Sequence, residues 1–86
     1  MSGVMNAETF RTEARKMVEG ARATARLLMP DDLPERAETP GQAALEAKHG
    51  TPKAFAEAVI RAVGEVSASE AVAAVERYAA EWRVAA

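Results

Sequence analysis

Residues 39–70 read TPGQAALEAKHGTPKAFAEAVIRAVGEVSASE, and three helix starts stand in that run. Thr39 is of the cap type, Pro40 suits the first helical position, and Gln42 completes a Thr-x-x-Gln capping box. Gly50 then reads as a stop, because a helix end often needs a left-handed residue and glycine adopts that conformation freely. Thr51 and Pro52 repeat the start signal at once. The chain loosens at Gly64, and Ser67-Ala68-Ser69-Glu70 forms a second capping box. This punctuation predicts helices over 40–49, 52–64 and 68–83. The apolar spacing agrees. Leu45 is the one large apolar residue of the first segment. Phe55, Val59, Ile60 and Val63 line the second. Val72, Val75, Ala79 and Trp82 make an inner stripe on the third, with Tyr78 on its shoulder.

Upstream, Asn6 and Glu8 mark another helix start, and Pro30 forces an end because the residue before proline is pushed out of helical geometry. Between them Phe10, Ala14, Met17, Val18, Ala21, Ala25 and Leu28 recur at spacings of three and four, which makes one stripe on a helix over 7–29. Gly20 interrupts it at a cost of about 1 kcal/mol relative to alanine. Residues 30–40 hold three prolines and a mainly acidic set of charges. They read as a semi-rigid connector, with room for one short turn after Asp32 and with Leu33 pinning it to the core. The expectation is an all-α fold in one domain over 1–86. It is a small bundle of four helices: a tail over 1–6, a long N-terminal helix, the proline-rich loop, and three shorter helices.

Composition narrows the functional classes. The 86 residues carry a net charge of −2 and no cysteine. A disulfide framework and a cysteine zinc site are therefore impossible, and the single His49 argues against a histidine one. Alanine supplies much of the apolar content, so helices are favoured but the buried area per residue is small. A dedicated nucleic-acid binder usually carries a positive excess. No run approaches the ~18 apolar residues of a membrane span, and the first residues lack a secretory pattern. A cytoplasmic location is expected, with no membrane partner. The bias toward Ala, Arg, Val and Glu fits a GC-rich bacterial or phage genome.

The long helix is out of proportion. About 23 residues span roughly 35 Å, whereas a compact chain of this length has a radius of gyration near 12 Å. Two arrangements follow. Either the helix packs along the other three, or part of its stripe serves a second chain. Its seam Phe10, Ala14, Met17, Ala21, Thr24, Leu28 is heptad-like, and its small residues permit close helix approach. Arg11, Arg15, Arg22 and Arg26 fall within a narrow arc beside the seam. They make either a contact ribbon for phosphates or an acidic partner, or a solvated face stitched by ion pairs with Glu8 and Glu19.

Catalytic chemistry is not visible. His49 sits where a helix C-terminus would favour its charged form, Ser67 and Ser69 belong to a cap, and Asp31-Asp32 lacks a third ligand. No phosphate loop or metal-binding motif occurs. The protein is expected to be no enzyme and to use no cofactor and no metal. Residues 42–63, a short helix, a glycine turn and a second helix, resemble a helix-turn-helix. That resemblance implies a recognition helix beginning near Pro52, with Lys53, Glu57 and Arg61 as candidates to reach bases. Glu46 departs from it, standing where a small apolar residue is usual. The expected function is a small helical protein–protein interaction module (an adaptor, regulator or inhibitor) with a protein partner or a homodimer. The alternative is a DNA-binding regulator using 42–63. The expected contact residues are Phe10, Arg11, Arg15, Met17, Arg22 and Arg26, together with an exposed edge at Tyr78 and Trp82, although a lone Trp in a small domain usually anchors the core.

Overall fold

The structure, a computed structural model, describes residues 6–86. The expected tail over 1–6 therefore lies outside it except for Asn6. The described chain is 73% helical and carries no strand. Its helices are α1 (Ala7–Leu28), α2 (Pro40–His49), α3 (Pro52–Arg61) and α4 (Ala68–Val84).

Each start is capped by the residue that the sequence marks. The side chains of Asn6, Thr39, Thr51 and Ser67 accept from the backbone N–H groups of Thr9, Gln42, Ala54 and Glu70. These bonds satisfy donors that a helix cannot pair internally. The second half of the first capping box is different. Gln42 is buried, its Oε1 accepts from Glu38 N at 2.9 Å, and its Nε2 donates to the Trp82 carbonyl at 3.3 Å. A residue expected to close its own helix terminus instead joins the loop to α4.

The bundle is smaller than expected. α1, α3 and α4 pack on one another, whereas α2 stands apart from that close packing. The composition explains this. Leu45 is the only large apolar side chain on α2, and it is only half-buried. Too little apolar surface faces the core to draw α2 into a four-helix layer. Specific bonds hold it against the end of α4 instead. Thr39 Oγ1 donates to the Ala85 carbonyl at 3.1 Å, and the Tyr78 hydroxyl reaches the carbonyls of Leu45 and Gly50 at 3.2 and 2.6 Å.

α3 also ends earlier than the expected 64. Residues 62–65 turn sharply, with Val63 N–H donating to the Ile60 carbonyl, and Gly64 takes φ +119°. Only glycine adopts that conformation without steric cost. The turn lets Val63 reach the core while the chain reverses into α4. A Cβ on Gly64 would also lie 3.3 Å from Val18 Cγ1, so the same glycine admits α1. The loop over 30–39 bends at Asp31, Arg36 and Thr39 and has no helical turn after Asp32. Lys53 N–H donates to the Pro34 carbonyl, and Lys53 Nζ pairs with Glu35 at 2.8 Å.

The core has two parts. One gathers Ala25, Ile60, Val63 and Ala71, with Ala21, Met29, Val59 and Val66 around them. The other is an aromatic chain: Phe55 tilts on Tyr78 at 4.8 Å between centroids, and Tyr78 meets Trp82 edge-on at 6.1 Å. Tyr78 thus sits within the stripe of α4, not on its shoulder. Burial pushes its phenol above the ordinary 10.0, and the charges of Glu81 and Glu46 act the same way. A raised value in the folded state means that the stabilisation is complete below pH 10.0 and is lost as pH climbs through the raised value. Tyr78→Phe leaves the carbonyls of Leu45 and Gly50 without their donor, an expected loss of about 1–3 kcal/mol at neutral pH. It should also flatten the alkaline limb of the stability curve. Denaturant melts at neutral and alkaline pH check both effects.

Candidate interaction surface

α1 meets the body only through its second half. Val18, Ala21, Arg22 and Met29 are half-buried, and Ala25 is the one fully buried residue of the helix. Every residue from Ala7 to Met17 is exposed. At the standard rise, the stretch before Val18 stands about 17 Å clear of the body. The molecule accordingly measures 65 × 21 × 15 Å with a radius of gyration of 17.0 Å, against about 12 Å for a compact chain of its length.

The cause lies in helix geometry. At 100° per residue, Val18, Ala21, Arg22, Ala25 and Met29 share one arc, which faces α3 and α4. Phe10, Met17, Thr24 and Leu28 cluster on a neighbouring arc, turned aside from it. The large apolar residues are consequently left out: Phe10 is 65% exposed, Met17 75% and Leu28 58%. The expected stripe divides in two: Val18, Ala21 and Ala25 pack, joined by Arg22 and Met29, whereas the large residues Phe10, Met17 and Leu28 do not. Leu27, 85% exposed, lies away from both.

The arginine ribbon divides as well. Arg22 folds against the body, where Nη2 donates to the Arg61 carbonyl at 2.9 Å. This places a cation at the C-terminal carbonyls of α3, a favourable position for the helix dipole. Arg22 Nε is buried without an acceptor. Arg11, Arg15 and Arg26 are exposed. The expected stitching by Glu8 and Glu19 is absent among the described residues. The one ion pair on α1 joins Lys16 to Glu13 at 3.8 Å, leaving Arg11 and Arg15 without a carboxylate.

Two other expected contact residues are withdrawn from the surface. Tyr78 and Trp82 are 4% and 2% exposed, so the edge expected around them does not exist. Tyr78 packs against Phe55, His49 and Trp82. Sequence alone offered a signal for the burial of Tyr78 and Trp82: both fall at the three-residue spacing of Val75 and Ala79, on the buried face of α4.

The segment resembling a helix-turn-helix is present as two helices around Gly50, but α2 and α3 do not pack closely on each other. Glu46 is exposed. Lys53, first of the residues suggested to reach bases, is engaged by Glu35, whose carboxyl it lowers below the usual value by hydrogen bond and charge. His49 closes α2 and lies edge-on to Tyr78 at 5.5 Å. Among the described residues no three His, Asp or Glu side chains gather in a metal-binding group, and no helix is long and apolar enough to cross a membrane. A cleft between the loop and α4 is lined by Pro34, Arg36, Gln42, Trp82 and Arg83. Glu35 and Glu38 also line it, the first of them paired with Lys53. Comparison with family models, curated proteins and solved structures gives no match for this chain.

Proposed function

We propose that the protein is a helical interaction module (an adaptor, regulator or inhibitor) that acts by binding rather than by catalysis. Its docking element is the projecting half of α1. The observation that carries this reading is the exposure of Phe10 and Met17 on a stretch of helix with no packing partner among the described residues. A helix of about 11 residues is marginal in water by itself. Covering its apolar side would therefore stabilise the helix as well as the complex. Phe10, Ala14 and Met17 stand at i, i+4 and i+7, the spacing with which an amphipathic helix enters a groove. Arg11, Arg15 and Arg26 border the same helix, and arginine is enriched at interface hot spots. Leu28 continues the exposed line toward the body.

The test separates docking from folding. Because both side chains lie outside the core, Phe10→Glu with Met17→Glu should change stability by less than about 0.5 kcal/mol and leave the helical circular dichroism intact. A photo-crosslinking residue at position 17 should give a discrete adduct in the native host. The same residue at exposed Glu76 on the body should not. A double variant that unfolds, or the lack of any adduct specific to position 17, would reject the reading.

A further inference from the structure

Resting on that reading, we infer that the surface recognised by α1 is a protein groove or helix edged with carboxylates, and not a second copy of this chain. Two features of the arm define the complement. Small Ala14 separates Phe10 from Met17, with Ala7 continuing the row, so the seam alternates knobs and gaps along one face. Gaps of this kind accept side chains from a closely approaching helix. They contribute little apolar area to a lipid surface, where affinity grows with the area inserted. Beside the seam stand Arg11 and Arg15, exposed and without an intramolecular carboxylate among the described residues. The projecting half, 7–17, carries three basic and two acidic side chains in a chain of net charge −2, and Glu13 is taken up by Lys16.

Self-pairing does not answer that charge. In the heptad frame of the seam, Ala7 and Ala14 take one core position and Phe10 and Met17 the other. Arg11 then flanks the seam on one side and Glu13 on the other. An antiparallel two-fold pair brings like flanks together, Arg11 against Arg11 and Glu13 against Glu13. A parallel pair sets Arg11 against Asn6 and Glu13 against Val18. Within the seam neither supplies a carboxylate to the arginines; an antiparallel pair could offer one only from the acidic 30–40 loop of the other copy. A partner with Asp or Glu along one rim of an apolar groove supplies it and gains electrostatic steering toward the correct register.

The experiment is a selection against the immobilised full chain. The probe is a displayed library of amphipathic helical peptides with fixed apolar positions and flanks drawn evenly from Glu, Lys, Gln and Ser. Selected peptides should be enriched in Glu on one flank. They should bind about tenfold or more weakly to Arg11→Glu with Arg15→Glu, and should also be lost by the Phe10→Glu, Met17→Glu protein. Binders that need Phe10 and Met17 but show no Glu enrichment would overturn the acidic partner and leave the docking arm standing. Binders indifferent to all four substitutions would remove both. Two parallel measurements name the competing occupants. Concentration-dependent dimerisation in sedimentation, abolished by Phe10→Glu with Met17→Glu, would assign the seam to a second copy. Binding to phosphatidylglycerol vesicles with the same dependence on Phe10 and Met17 would assign it to lipid.

Discussion

Trp82→Ala is expected to unfold much of the population at room temperature. Trp82 is almost wholly buried, meets Tyr78 edge-on, and its carbonyl receives Gln42 Nε2. Truncating a buried tryptophan costs about 3–5 kcal/mol through lost transfer energy and the cavity left behind. A domain of this size has roughly that much stability in total. Collapse heals the cavity only in part, because Tyr78 and Gln42 beside it are held by hydrogen bonds of their own. Urea titration followed by circular dichroism should show a large fall in midpoint or no folded baseline. Trp82→Phe, which keeps an aromatic partner for Tyr78, should retain a cooperative transition. A midpoint unchanged in Trp82→Ala would mean that the aromatic chain is peripheral to stability.

The second large effect is expected at Gly41, near the start of α2. A Cβ there would run into the Ala85 carbonyl oxygen, with the carbonyl carbon 3.3 Å away. Both are backbone atoms at the end of α4, already held by the bond from Thr39 Oγ1. Overpacking against such a neighbour costs about 1–3 kcal/mol. Gly41→Ala would gain less than about 1 kcal/mol from helix propensity, so the sign is destabilising. The denaturant midpoint should fall, and amide exchange should accelerate at Gln42 N–H, which depends on the placement of Thr39. A rise in midpoint would show that the end of α4 yields freely and that the approach of α2 is not a stabilising contact.

These two sites also mark where reading the chain by itself reached its limit. Trp82 was visible as a large residue on an inner stripe, but its burial depends on how Phe55 and Tyr78 arrive from two helices. Gly41 carried no signal, since a glycine in a first turn looks like a weak helix former. Its use appears only when the end of another helix is brought within van der Waals reach. The candidate interface behaves likewise. Phe10, Met17, Arg11 and Arg15 were identifiable as a stripe and its flank. Their freedom from partners was not, because an apolar stripe reads the same whether or not something covers it.

Local chemistry determined the helices. Asn6, Thr39, Thr51 and Ser67 satisfy amide donors within three residues of themselves, Pro40 and Pro52 restrict φ at the first helical position, and alanine favours helix between them. Those effects act over single turns and need no knowledge of the rest of the chain. Three things were decided only by the tertiary structure. α2 was left outside the packed trio because Leu45 alone could not draw it in. The stripe of α1 was split into a buried small-residue row and an exposed large-residue row. Tyr78 was drawn from the shoulder of α4 into the core. Each is a competition among surfaces for a small core, settled by the relative orientation of helices far apart in sequence. Burying Val18 and Ala25 against Gly64 and Ile60 fixed the rotation of α1, and that rotation carried Phe10 and Met17 into solvent.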